Sequence, residues 1–126
     1  MKSGPYASES AEQTNLFRWA AYEQNSYPEL KLMFHIPNGG SRNKLEAANL
    51  KRQGVKAGVP DICLPVARGN YHGLFIEMKN ASGKNKATDK QKEWIQDLNR
   101  QGYMAIVCYG WQEASEVLKK YMRLAK

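Results

Sequence analysis

The stretch GVPDICLPVARGNYHGLFIEMKN, from Gly58 to Asn80, sets the topology of the chain. Within it DICLP (61–65) and LFIEMK (74–79) read as strands, apolar and bounded by Pro, Gly and Asn, with ARGNYHG between them as a connecting turn. The simplest arrangement is an antiparallel hairpin with a longer loop. Alternation along the second strand sends Leu74, Ile76 and Met78 to one face and Phe75, Glu77 and Lys79 to the other. Asp61 follows Pro60 at the start of the first strand, and that start lies beside the end of the second. The pattern therefore predicts Asp61, Glu77 and Lys79 in one cluster. Charged groups in so apolar a segment lose hydration, and they need a partner or a metal to compensate.

On the N-terminal side, residues 1–8 read as a disordered lead-in containing Gly4 and Pro5, so the folded domain is expected over 9–126. Leu16, Phe17, Ala20 and Ala21 recur at helical spacing within 8–24. LMFHI (32–36) reads as a short strand ended by the turn signal PNGG, and 43–53 as a helix ending at Gly54. Beyond the hairpin, 80–87 is a basic loop. A helix over 88–101 then opens on the capping box Thr88-x-x-Gln91 and ends at Gly102. MAIVCY (104–109) is a buried strand, and a last helix over 111–124 puts Trp111, Ala114, Leu118, Tyr121 and Met122 on one face. This order predicts one α/β domain with a central mixed sheet flanked by helices.

Bulk properties agree. A chain of 126 residues suits a single domain. No apolar run approaches the ~20 residues of a membrane span. The N-terminus lacks the apolar core of a secretory signal, so the cytoplasm is the expected compartment, a host's if the chain is phage-encoded. Cys63 and Cys108 stand alone in apolar runs and read as buried hydrophobes, without zinc spacing. A net charge of +7 favours an anionic partner, nucleic acid among them.

Two readings of the charged cluster stand side by side. One is a buried ion pair, Glu77–Lys79 or Asp61–Lys79. The other is a hard oxygen site in which Asp61, Glu77 and the Met78 carbonyl hold Mg2+ or Mn2+ while Lys79 orients a water or stabilises a phosphate.

Here a resemblance adds to the residues. GVPD (58–61) followed by IEMK (76–79) is similar to the PD-(D/E)xK nuclease signature. Its context, HIPNGG (35–40), KRQGVKAGVPDICLP (51–65), YHGLFIEMK (71–79) and DKQKEWIQDLNRQGYMAIVCYGWQEA (89–114), resembles the virus-type replication-repair nuclease (VRR-NUC) domain, particularly its compact stand-alone phage and bacterial members. The likeness runs from about residue 9 to 122. It implies a restriction-endonuclease-like fold and a Mg2+- or Mn2+-dependent endonuclease. It also implies structure-specific cleavage of branched DNA, such as a Holliday junction, by a homodimer. A further glutamate in the family's first helix, in an E-x-x-x-Q pattern, falls on Glu9 and Gln13, with Glu12 as the competitor. The family pattern also places a glutamine near the active site at Gln91, which equally closes the capping box.

The resemblance thus assigns catalysis to Asp61, Glu77, Lys79 and Gln91, and the metal to Glu9, Asp61, Glu77 and Met78. Basic residues flank this set: Arg42, Lys44, Lys51, Arg52 and Lys56 before it, and Lys84, Lys86, Lys90 and Lys92 after it. A phosphate backbone needs such flanks, although a solvated face has the same composition. Asn38 and His72 are further DNA-contact candidates, while His35 is expected to be non-catalytic. The competing functions are a non-catalytic nucleic-acid-binding module and a restriction-like duplex endonuclease.

Overall fold

The computed structural model describes residues 6–37 and 43–126. Helix α1 (Glu9–Glu23) starts where the Ser8 side chain accepts the Ala11 N–H at 3.1 Å, so Ser8 belongs to the domain rather than to a disordered lead-in. Strand β1 (Phe34–His35), helix α2 (Lys44–Arg52), β2 (Ile62–Leu64), β3 (Leu74–Lys79), α3 (Asp89–Arg100), β4 (Met104–Tyr109) and α4 (Trp111–Met122) follow. The sheet order is β1-β2-β3-β4, with β3 and β4 parallel and the other neighbours antiparallel. The expected α/β domain with a mixed sheet is therefore what forms.

Two differences have local causes. The strand expected over 32–36 shrinks to two residues because Pro28 opens a 3₁₀ turn that runs to Leu32. The strand expected over 61–65 keeps only its middle three residues, since Pro60 and Pro65 have no N–H for a ladder.

One sheet face carries the core. Ile62, Leu64, Leu74, Ile76, Met78 and Cys108 are buried there under Leu16 and Ala20 of α1 and Ala114, Leu118 and Met122 of α4. Tyr121 is buried with them because its hydroxyl donates to the Val66 carbonyl at 2.6 Å. Both cysteines are buried free thiols, Cys108 pushed up to about 12 by burial first and the charge of Glu113 second. The opposite face holds Phe75, Glu77 and Lys79 and receives α3, whose Trp94, Ile95 and Leu98 are half-buried. Asn99 of α3 completes the exposed edge of β4, accepting the Ala105 N–H at 2.9 Å and donating to its carbonyl at 3.2 Å.

Because β3 and β4 are parallel, the carboxyl ends of both strands share one rim of the sheet. The basic loop after Lys79 and the turn into α4 at Gly110 leave from that rim. Gly110 has φ +92, and a Cβ there would stand 3.1 Å from the Ala81 Cβ. A side chain at 110 would thus strain the backbone and push the two exits apart. Among the described residues no helix is long and apolar enough to cross a membrane.

Candidate active site

Glu77 is the centre of the charged cluster. It lies in β3 opposite the start of β2, and it is 2% exposed. Burial is the main cause that lifts its carboxyl from 4.5 to about 8, followed by the neighbouring Asp61 carboxylate; Lys79 opposes the rise and Glu9 adds to it. Oε2 accepts the Gln91 side-chain N–H at 3.1 Å, and the Lys79 ammonium stands 3.8 Å from it. Oε1 is buried and accepts no hydrogen bond. An orphaned oxygen on a buried acid costs free energy unless something else comes to it.

Asp61 is held from two sides. Its backbone carbonyl accepts the Ile36 N–H at 2.7 Å and faces the Nδ1 of His35 at 2.8 Å. A carbonyl only accepts, so Nδ1 carries the proton. Its side-chain Oδ2 accepts the Met78 N–H at 2.8 Å. The aspartate thereby bridges from the start of β2 across to β3. His35, expected to be non-catalytic, has a positioning contact that the sequence does not reveal, because β1 pairs with β2 from 26 residues away.

Gln91 closes the capping box and also contacts Glu77. Its Oε1 accepts the Thr88 N–H at 2.9 Å while the Thr88 hydroxyl accepts the Gln91 N–H at 3.2 Å, closing the capping box. The Thr88 N–H can only donate to the amide oxygen, so the amide nitrogen is the group that reaches Glu77. The first turn of α3 is thus anchored to the cluster. Gly58 helps: with φ +90 it lies so close to Lys90 that a Cβ would come within 2.9 Å of that residue's backbone.

The two glutamates of α1 separate by what they touch. Glu12 is 4% exposed, and its Oε1 accepts the Trp111 N–H at 3.0 Å, so it holds the first turn of α4. Glu9 is half-buried and close enough to Glu77 for its charge to act there. Among the described residues no group of three or more His, Cys, Asp and Glu is arranged to hold a metal ion. Glu9 is therefore brought into electrostatic reach of the cluster but not into a three-carboxylate set.

Of the basic residues, Lys44, Lys51 and Arg52 lie exposed on α2, which buries none of its side chains; Lys56, Lys84, Lys86, Lys90 and Lys92 are exposed in loops and on α3. Asn38 and Arg42 fall outside the described residues. Lys84 and Lys86 are the basic pair on the loop that leaves the site. Asn80 Oδ1 accepts from both Ser82 N and Ser82 Oγ at the start of that loop, and the Lys86 ammonium lies 5.4 Å over the Tyr109 ring. Tyr109 is the register partner of Lys79, on the same face. Nothing in the sequence singled it out, since its place depends on the parallel β3–β4 pairing. His72 is placed apart from the cluster. Its N–H donates to the Gly102 carbonyl at 2.8 Å and its ring meets Tyr103 edge-on, ahead of β3. Glu77 is five residues farther along, about 17 Å in an extended strand.

The residues fit a divalent cation. Asp61 and Glu77 are two carboxylates side by side, burial disfavours the ionised form of Glu77, and Glu77 Oε1 receives no hydrogen bond. A dication would relieve both costs. With no third carboxylate in the set, backbone carbonyl and water oxygens would complete the shell.

Comparison with known proteins gives the family. The sequence model of the VRR-NUC domain matches residues 7–112. The chain belongs to the VRR-NUC domain family. A solved structure described as a VRR_NUC domain protein is similar at 36% identity, with a TM-score of 0.83 over 100% of this chain and 94% of that one. No curated protein sequence matches. As a VRR-NUC domain, the chain is of the PD-(D/E)xK nuclease type, a class that acts on DNA and usually employs a divalent metal.

Proposed function

We propose that this VRR-NUC domain is a Mg2+- or Mn2+-dependent endodeoxyribonuclease that cleaves branched DNA, such as a four-way junction, as a homodimer. Asp61, Glu77 and the Met78 carbonyl would hold the ion, with the charge of Glu9 reinforcing the site from α1. The observation that carries this reading is the orphaned Oε1 of Glu77 on an acid raised to about 8 beside Asp61. A merely structural ion pair would satisfy that oxygen. When bound, the ion supplies Lewis acidity toward a phosphate oxygen and the attacking water.

The chain's own residues do the rest. Lys79, 7% exposed, keeps its ammonium next to Glu77, where it donates to the attacking water or to the charge that gathers on the phosphate. Gln91 fixes the Glu77 rotamer by holding Oε2. The Met78 N–H fixes Asp61 in the same way, so the two carboxylates are preorganised. Lys84 and Lys86, on the loop leaving β3, supply phosphate contacts close to the cleavage point, and Lys44, Lys51, Arg52 and Lys56 supply more distant ones. A two-fold dimer would present two such sites to the two strands of a junction.

The test incubates labelled four-way junction and matched linear duplex with the protein in Mg2+ or EDTA, alongside Lys79→Ala. Mg2+-dependent paired nicks in the junction, reduced at least a hundredfold in the variant, are expected. Binding without cleavage in both Mg2+ and Mn2+ refutes the enzymatic reading, and cleavage of linear duplex alone refutes the branched substrate.

A further inference from the structure

We propose that Tyr109 is a positioning residue: its ring holds the Lys86 ammonium at the mouth of the site, where Lys86 takes a DNA phosphate next to the one being cleaved. The inference rests on the nuclease reading above and assigns a role to a residue outside the charged cluster.

The loop that carries Lys86 leaves β3 after Lys79 and enters α3 at Thr88, and both of its ends are fastened at the cluster. At the first end the Lys79 carbonyl accepts the Gly110 N–H at 2.8 Å. The chain then folds back on itself, with Ser82 Oγ donating to Asn80 Oδ1 at 2.6 Å and accepting the Lys84 N–H at 3.2 Å. At the other end Gln91, which closes the capping box with Thr88, donates to Glu77 Oε2 at 3.1 Å. The backbone of Lys86 is thereby kept near the site. Its ammonium still sits on a flexible four-carbon stem, so its direction needs a separate cause.

Tyr109 supplies that direction. It is the last residue of β4 and the register partner of Lys79, so its ring rises from the same sheet face as Lys79 and Glu77. The ring is half-buried, and the ammonium of the exposed Lys86 lies 5.4 Å from its centroid, within reach of a cation–π contact. The kind of partner matters. Arg68, Lys79, Arg100 and Lys119 each face a carboxylate, whereas among the described residues Lys86 forms no ion pair and has the ring instead. A carboxylate would cancel the charge and would have to be displaced by an arriving phosphate. An aromatic face orients the ammonium, leaves its charge whole and keeps N–H donors free. Tyr109 therefore reduces the side-chain entropy that Lys86 gives up on binding, without competing for the phosphate.

The experiment uses the full chain and four variants: Tyr109→Leu, Tyr109→Phe, Lys86→Ala and the Tyr109→Leu/Lys86→Ala double variant. In EDTA, NMR follows the Lys86 Hε protons without DNA, and anisotropy follows affinity for labelled four-way junction across a salt series. Tyr109→Leu should move the Lys86 signal to the position of a free lysine and weaken binding about threefold, whereas Tyr109→Phe keeps the ring and should match wild type in both. Lys86→Ala should lower the log–log salt slope by about 1. The double variant should bind no more weakly than Lys86→Ala, because the ring acts only through that lysine. In Mg2+ the loss in Tyr109→Leu should fall on KM rather than kcat. Wild-type affinity in Tyr109→Leu, an equal loss in Tyr109→Phe, or additive losses in the double variant overturns the inference. So does a wild-type Lys86 signal already at the free-lysine position, a measurement that needs no variant to fold. A wild type that binds the junction but leaves all DNA uncut in Mg2+ and Mn2+ overturns the nuclease reading instead, and with it the claim of a phosphate beside a cleaved bond.

Discussion

Replacing Glu77 by glutamine should stabilise the metal-free protein while abolishing cleavage. In the folded chain the Glu77 carboxyl is raised from 4.5 to about 8 by burial and by Asp61. Below about 4.5 it is protonated both folded and unfolded, so it costs nothing. As pH rises from there to about 8, the unfolded chain gives up its proton while the folded chain retains it or ionises at a cost, and stability is lost across that window. Above about 8 the loss is complete. At ~1.4 kcal/mol per pH unit the ceiling is about 5 kcal/mol, and relaxation of the folded chain around the buried charge lowers the realised value to about 2–3 kcal/mol. Glutamine keeps the shape, still accepts from Gln91 and carries no charge. The assay is thermal unfolding in EDTA, wild type against Glu77→Gln. Near pH 5 the two should nearly coincide, and near pH 9 the variant should unfold about 10 °C higher. Saturating Mg2+ should narrow the gap by stabilising the wild type alone. A variant no more stable than wild type near pH 9, or an advantage independent of pH, would refute the account of Glu77 as a strained acid awaiting a cation.

Glu12→Ala should cost about 1–3 kcal/mol in urea unfolding, since it leaves the Trp111 N–H without its acceptor, whereas Glu9→Ala should leave stability near wild type and weaken Mn2+ binding in calorimetry. Equal stability losses in the two variants would contradict this division of labour. Gln91→Ala should lose about 1 kcal/mol from the broken capping box together with most of kcat. Gln91→Glu should keep an acceptor for the Thr88 N–H yet place a carboxylate against Glu77, so that kcat falls further at high pH than at low pH in single-turnover cleavage.

The proximity of Asp61, Glu77 and Lys79 was legible because it depends on short-range rules. A hairpin turn, a two-residue period and a register set by flanking prolines put residues 16 positions apart on one face. The helix start at Thr88 was legible for the same reason, since a cap acts within a single turn. The capping-box half of Gln91 belongs with these. Its other half, the amide on Glu77, needs α3 docked against the sheet, and no local pattern reports that.

The remaining assignments depend on contacts between distant segments. Glu9 and Glu12 are three positions apart on α1 and look alike in sequence. They part because α4, beginning 99 residues after Glu12, brings its first N–H to one of them and not the other. His72 sits two residues before β3, and strand direction places it at the rim opposite the cluster. Tyr109 gains its place beside Lys79 through the parallel pairing of β3 and β4. Residue order alone supplied the chemistry available, an α/β sheet with two acids and a lysine at a strand end. Which of those groups are buried, paired or left wanting a partner came from the fold, because burial and register follow from how the whole chain packs.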